Sequence, residues 1–98
     1  MKPLSIEIVP AQMGFFTVYD FDNEKHIELG DPVIAWRIES YYRDASDEIF
    51  SSSFPLTADG DVGSNCIGVQ NPDMTITVFE DSMYRSLKEL QADRYPKQ

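Results

Sequence analysis

Alternation of apolar and polar residues in short runs is the feature that most constrains the fold of this 98-residue chain. The clearest example covers residues 33–42, where Trp36 and Ile38 alternate with Arg37 and Glu39. A period of two places successive side chains on opposite faces of a β-strand, whereas a helix requires a period near 3.6. We therefore predict a strand over residues 33–42, with Trp36 in the core and with Arg37 and Glu39 in contact with water.

Short runs rich in β-branched and aromatic residues, each bounded by turn-forming residues, predict further strands in the rest of the chain. These runs are residues 4–9, 15–21, 26–29, 49–57, 66–69 and 74–79. Short polar turns join the second run to the third and the fifth to the sixth, so we predict two hairpins. Pro55 interrupts the fourth run and cannot donate a backbone hydrogen bond, which favours an edge strand there.

The C-terminal residues predict one short helix, over residues 87–94. Ser86 and Glu89 have the spacing of a capping box, in which each side chain accepts a hydrogen bond from a free backbone N–H of the first turn. Pro96 ends the helix. The combined pattern predicts a β-rich α+β fold, in which an antiparallel sheet of five to seven short strands carries one short C-terminal helix. Residues 1–98 suffice for a single domain, with an expected radius of gyration of about 13 Å.

Negative charge is concentrated in one block of the sequence. The segment from Asp44 to Tyr84 contains no Lys, Arg or His, and it carries eight of the carboxylates behind the net charge of −9. The negative electrostatic potential of this block repels nucleic acids and anionic lipids and attracts basic partners. The eight basic residues are scattered and do not alternate with aromatic residues, as they would in a single-strand-binding sheet. We therefore expect neither direct nucleic-acid binding nor membrane binding.

Cysteine content and hydropathy indicate the compartment. The single cysteine, Cys66, excludes an intrachain disulfide and favours a reducing environment. Ser5 and Glu7 interrupt the apolar residues near the N-terminus, so the signature of a signal peptide is missing there. No window approaches the roughly 18 apolar residues of a membrane span. We expect a soluble, cytoplasmic protein.

The acidic block and the tyrosines near it predict a protein-binding function. Binding energy concentrates in rigid aromatic anchors, while charges at the rim of an interface mainly steer encounter. Carboxylates at every second position of a strand repeat at about 6–7 Å, close to the spacing of phosphates, so an acidic sheet can act as a DNA mimic. The candidate partner-binding residues are Tyr41, Tyr42, Asp44, Asp47, Glu48, Asp59, Asp61, Glu80, Asp81 and Tyr84. The expected partner is a protein with a basic surface, and a homodimer is the alternative assembly.

A small metal-binding or hydrolytic domain is the alternative function. Asp59 and Asp61 alternate in a loop, as oxygen ligands do in calcium loops, but Gly63 stands where the third ligand belongs. Cys66 and His26 are the candidates for a thiol and imidazole pair. Neither lies in a catalytic signature, and an unpaired cysteine in an apolar run is typically buried. We therefore predict no catalytic residue, no metal ligand and no cofactor.

The C-terminal third of the chain resembles the ends of short proteins carried by phages and prophages. The resemblance rests on residues 64–69 (SNCIGV), 77–80 (TVFE) and 84–87 (YRSL). Small size, acidity and the lack of a catalytic signature are also similar to phage-borne inhibitors of host defence, such as anti-CRISPR proteins. These inhibitors share no common motif, so the resemblance transfers no functional residue. It implies a stoichiometric blocker of a host protein that handles nucleic acids.

Overall fold

The computed structural model describes residues 4–42, 48–79 and 82–96, and it confirms the predicted β-rich α+β fold. Nine strands and one α-helix form within these residues. In chain order they are β1 (Ser5–Pro10), β2 (Phe16–Phe21), β3 (His26–Pro32), β4 (Ala35–Tyr42), β5 (Ile49–Thr57), β6 (Gly60–Asp61), β7 (Cys66–Gln70), β8 (Ile76–Val78), β9 (Ser82–Tyr84) and α1 (Leu87–Arg94). Both predicted hairpins and the predicted C-terminal helix are confirmed.

The strands form two antiparallel sheets and not the single sheet that we predicted. The four-stranded sheet has the order β1-β4-β5-β6, and the five-stranded sheet has the order β3-β2-β7-β8-β9. The chain changes sheet between β3 and β4. Val33 N–H donates to Phe15 O at 2.8 Å on the five-stranded side, whereas Ile34 N–H donates to Leu56 O at 2.8 Å on the four-stranded side. Consecutive peptide groups therefore bond to different sheets, a change that the alternating pattern does not reveal.

The buried core belongs to the five-stranded sheet and the helix. It consists of Val18, Ile27, Ile76, Val78 and Leu90, which are all at most 7% exposed. These side chains come from β2, β3, β8 and α1. Each fully buried aliphatic side chain contributes roughly 1.5–3 kcal/mol to folding, so this cluster is a main source of the stability of the five-stranded sheet.

Trp36 does not join this core, contrary to our prediction. It lies half-buried on β4, where its ring meets Phe15 edge to face with 5.3 Å between the centroids. Arg37 and Glu39 keep contact with water but are more enclosed than we predicted. Their side chains are only 28% and 15% exposed, because they pair with each other at 2.9 Å.

Helix α1 begins and ends where the sequence predicts. Ser86 Oγ accepts a hydrogen bond from Glu89 N–H at 3.1 Å, which is one half of the predicted capping box. The Glu89 carboxylate lies 3.4 Å from Arg85 Nε. Leu90 is fully buried and packs the helix against the core.

The helix also covers an edge of the five-stranded sheet. The Gln91 amide accepts a hydrogen bond from Ile27 N–H at 2.7 Å and donates one to Lys25 O at 2.9 Å. These are the bonds that a neighbouring strand would make with β3. Gln91 thus closes part of an edge that would otherwise be open.

The four-stranded sheet extends beyond the core and makes the molecule elongated. The principal extents are 46 × 28 × 25 Å, and the radius of gyration is 14.9 Å instead of about 13 Å. No helix within residues 4–42, 48–79 and 82–96 is long and apolar enough to cross a membrane.

Candidate binding surface on the four-stranded sheet

The two faces of the four-stranded sheet have different surroundings. Directly opposed residues of an antiparallel pair point to the same face, so the strand register assigns each side chain to one face. Trp36, Pro55 and Thr57 share one face, and the last two are buried there. We call the opposite face the outer face. It carries Ile6, Ile8, Arg37, Glu39, Tyr41, Phe50, Phe54 and Asp61.

A row of charged groups crosses the middle of the outer face. Arg37 Nε lies 2.9 Å from Glu39 Oε2, and Arg37 Nη1 contacts Asp61 Oδ1. The guanidinium also lies 5.1 Å from the centre of the Phe54 ring, within the range of a cation–π contact. Arg37 is thus held on two sides by carboxylates and from below by an aromatic ring.

Aromatic and aliphatic side chains flank this charged row. The rings of Tyr41 and Phe50 stack with 5.4 Å between centroids and 23° between planes. The Tyr41 hydroxyl donates to Glu39 Oε1, and this hydrogen bond raises the pKa of Tyr41 above its ordinary value. Ile6, Ile8 and Phe50 remain 56%, 57% and 37% exposed. Such a combination of exposed apolar groups and fixed charges is typical of binding surfaces.

The candidate residues Tyr41 and Asp61 lie on the outer face, and three others lie elsewhere on this sheet or directly beside its strands. Tyr42 points to the opposite face, since it opposes Ile49. Glu48 is exposed just before β5, whereas Asp59 is exposed just after it. The length of β5 separates these two carboxylates by about 26 Å or more.

The remaining candidate residues do not join this surface in the described structure. Asp44, Asp47, Glu80 and Asp81 lie outside the described residues. Tyr84 belongs to β9 of the five-stranded sheet, and its hydroxyl donates to Asp93 Oδ2 at 2.7 Å. This hydrogen bond raises the pKa of Tyr84.

The geometry separates the two groups of the candidate thiol and imidazole pair. β7 carries Cys66 and β3 carries His26, and these strands flank β2 on opposite sides. Two strand spacings amount to about 10 Å, so the thiol and the imidazole are not in contact. The Cys66 thiol is buried, and burial raises its pKa. His26 is exposed, with Nε2 at 3.5 Å from Glu28.

The Asp59 and Asp61 loop also lacks the arrangement of a metal site. The Asp61 carboxylate contacts Arg37 instead of turning toward Asp59. Within residues 4–42, 48–79 and 82–96, no group of three or more His, Cys, Asp or Glu side chains could hold a metal ion.

Most residues of the outer face are not among the candidates that the sequence predicts. Ile6, Ile8 and Phe50 follow the alternating pattern, which indicates that they share a face but not whether another layer covers it. The spacing of Arg37 and Glu39 was a usable signal, because residues two apart on one strand lie on the same face. Opposite charges at that spacing indicate an ion pair.

The four-stranded sheet and its adjoining loops are strongly acidic. In the sequence, residues 4–11 and 34–62 contain seven carboxylates and two basic residues, Arg37 and Arg43. Since Arg37 is already paired with Glu39 and Asp61, the remaining charge of this region is negative. A basic surface is the electrostatic complement of such a region.

Comparison of the chain with models of protein families, with curated proteins and with solved structures finds no match.

Proposed function

We propose that this chain is a non-catalytic, acidic protein-binding module that docks on a basic surface of another protein. The observation that carries the proposal is the outer face, where Ile6, Ile8 and Phe50 are exposed on a sheet region of negative charge. Exposed apolar side chains set beside fixed charges are typical of surfaces that bind another protein. The acidic surroundings favour a partner surface of positive charge.

On this surface the apolar groups would supply the direct contact with the partner, and the charged groups would attract it. The stacked rings of Tyr41 and Phe50 are held in place before binding, which reduces the entropy lost on association. The carboxylates of the surrounding loops would attract a basic surface over about one Debye length, roughly 8–10 Å in ordinary salt. Affinity then depends on the apolar contacts and on this attraction, so both the affinity and the rate of association should fall as salt is raised.

The resemblance to phage-borne proteins extends this proposal to an inhibitory role. A module of this charge would block a host protein at the basic surface where that protein holds nucleic acid. Its place of action would be the cytoplasm, where the lone Cys66 stays reduced. Inhibition would be stoichiometric, because the proposal includes no chemical step.

Capture from the heparin-binding fraction of a bacterial lysate tests the proposal, because that fraction is enriched in basic, nucleic-acid-binding proteins. We expect the immobilised chain to retain a discrete protein that elutes between about 50 and 500 mM salt. The double substitution Ile6→Ser with Phe50→Ser should abolish this retention. Met83→Ser is the matched control, because Met83 is 67% exposed but lies on the five-stranded sheet. Retention that survives high salt and the double substitution contradicts the proposal.

A further inference from the structure

We propose that the partner contributes an extended segment, alternating between basic and aliphatic residues, that pairs with the free edge of β1 as an additional strand. This inference rests on the proposed function and names the form of the partner. Addition of a strand to an open edge supplies affinity through backbone hydrogen bonds and specificity through alternate side chains.

The first support is the direction of the backbone groups of β1. Ala11 N–H donates to Ile34 O at 3.0 Å and continues the β1–β4 register, in which Pro10 opposes Ala35. Hydrogen-bonded and non-hydrogen-bonded pairs alternate along an antiparallel ladder. Ile8 and Ile6 therefore have their N–H and C=O groups directed away from β4. Among the described residues, no strand accepts these groups.

The second support is that the other sheet edges are short, covered or interrupted. Gln91 covers part of β3, while β6 and β9 span only two and three residues. The outward positions of β5 include Pro55, which has no N–H, and the polar residues Ser51 and Ser53. β1 is six residues long, and its outward positions are the exposed Ile6 and Ile8 and, at the last residue of the strand, Pro10, which has no N–H. Proteins usually protect such an edge unless it has a partner.

The third support is the chemistry on the two sides of β1. A new strand would place alternate side chains beside Ile6 and Ile8 on the outer face and beside Glu7 on the opposite face. Aliphatic residues fit the first side, and Lys or Arg fits the second. A second copy of the chain fits poorly, because each copy carries a net charge of −9.

Binding of a defined peptide tests this inference directly. The probe is a fluorescent, end-capped peptide of about seven residues in which Lys and Val alternate, since a strand of this length matches β1. Its control has the same composition, with all lysines preceding all valines. We expect the alternating peptide to bind at least about tenfold more tightly than the block peptide, because only alternation satisfies both faces.

Two substitutions at one position separate the backbone contribution from the side-chain contribution. Ile8→Pro and Ile8→Ala both remove the isoleucine side chain, but only proline removes the outward N–H. Ile8→Pro should weaken binding of the alternating peptide about tenfold more than Ile8→Ala does. Ser53→Pro and Ser53→Ala are the matched control pair, at a position of β5 that β6 does not cover. Neither substitution should change the affinity for the alternating peptide. Thermal unfolding of every variant shows whether the sheet is intact.

Each outcome supports or overturns strand addition at β1. Equal binding of the two peptides, equal effects of Ile8→Pro and Ile8→Ala, or sensitivity to Ser53→Pro alone would overturn it. A dimer in static light scattering that Ile8→Pro dissociates would show that a second copy occupies the edge instead. If the Ile8→Pro variant still retains the lysate protein, strand addition fails but the proposed function stands. If the double substitution Ile6→Ser with Phe50→Ser still retains that protein at high salt, the proposed function itself fails.

Discussion

At the residue scale, Asp20 ties the end of the C-terminal helix to β2. Its side chain is 6% exposed, and it accepts hydrogen bonds from the Tyr95 hydroxyl at 2.6 Å and from Arg94 Nη1 at 2.7 Å. The Tyr95 hydroxyl also lies 2.9 Å from Asp22 Oδ1. Arg94 thus balances the charge of a nearly buried carboxylate, and the neighbouring Tyr95 donates a hydrogen bond to it.

The Tyr95 hydroxyl should make stability depend on alkaline pH. The hydrogen bond that the Tyr95 hydroxyl donates to the Asp20 carboxylate raises the pKa of Tyr95 above the ordinary value of 10.0. The folded chain therefore holds this proton more tightly than the unfolded chain, and the contribution of the hydroxyl is fully present below about pH 10 and is lost as pH rises further. Urea unfolding of the wild type from about pH 8 to pH 11.5 should show a falling free energy of unfolding above about pH 10.

The variants separate Tyr95 from the other tyrosines. Tyr95→Phe should reduce the alkaline loss of stability, although part of it remains because the pKa values of Tyr41 and Tyr84 are also raised. Tyr42→Phe, at a tyrosine that is 49% exposed, should follow the wild-type curve. Identical curves for Tyr95→Phe and wild type would show that the hydroxyl is not held by Asp20 in solution.

At the scale of single elements, the edge of β3 depends on one side chain of α1. Gln91→Ala leaves the N–H of Ile27, a residue that is only 2% exposed, without its acceptor. Loss of the partner of a buried N–H costs about 1–3 kcal/mol, so we expect the free energy of unfolding to fall by that amount. Lys88→Ala, an exposed substitution on the same helix, should change it by less than about 0.5 kcal/mol.

Hydrogen exchange of the Ile27 amide measures the effect of the same substitution at a single residue. We expect its amide to lose protection in Gln91→Ala by more than the amides of β7, which lie on the far side of β2. A uniform loss across both strands would instead indicate general destabilisation without a specific edge contact.

Locally encoded elements were the predictable part of the fold. Helix α1 follows from the spacing of Ser86 and Glu89, and both hairpins follow from turns between β-rich runs. β9 was missed because Ser82–Tyr84 is too short to show alternation. The change of sheet at Val33 and Ile34 was missed because it depends on distant partners, Phe15 and Leu56.

The candidate surface was predictable only in part, for a related reason. Alternation assigns Ile6, Ile8 and Tyr41 to faces of strands, but the layers packed against a sheet are set by tertiary contacts. Charge led the sequence analysis to Asp61, which the fold brings to Arg37 from another strand. The charge of Asp61 indicated that it is exposed, but only the fold shows that Arg37 lies beside it.

At the scale of the whole molecule, the two sheets differ in how they are stabilised. The buried aliphatic cluster lies in the five-stranded sheet and α1, whereas the four-stranded sheet keeps Ile6, Ile8, Ile34 and Ile49 more than half exposed. Its strands are joined by ladder hydrogen bonds and by the ion pair between Arg37 of β4 and Asp61 of β6. Regions with little buried apolar surface open at lower free energy than the core. This asymmetry places the proposed binding surface on the less stable half.

Native-state hydrogen exchange should therefore resolve two levels of protection. We expect the amides of Val18 and Val69, on the central strands β2 and β7, to exchange only through global unfolding, whereas those of Arg37 and Ser52 exchange earlier through opening of the four-stranded sheet. Ile76→Ala, at a fully buried site, should lower the protection free energy of Val18 by about 2–5 kcal/mol. The protection of Arg37 should fall by less, because local opening limits it. Equal protection of all four amides would mean that the two sheets unfold as one unit, and a partner that binds the outer face could then stabilise only the whole chain.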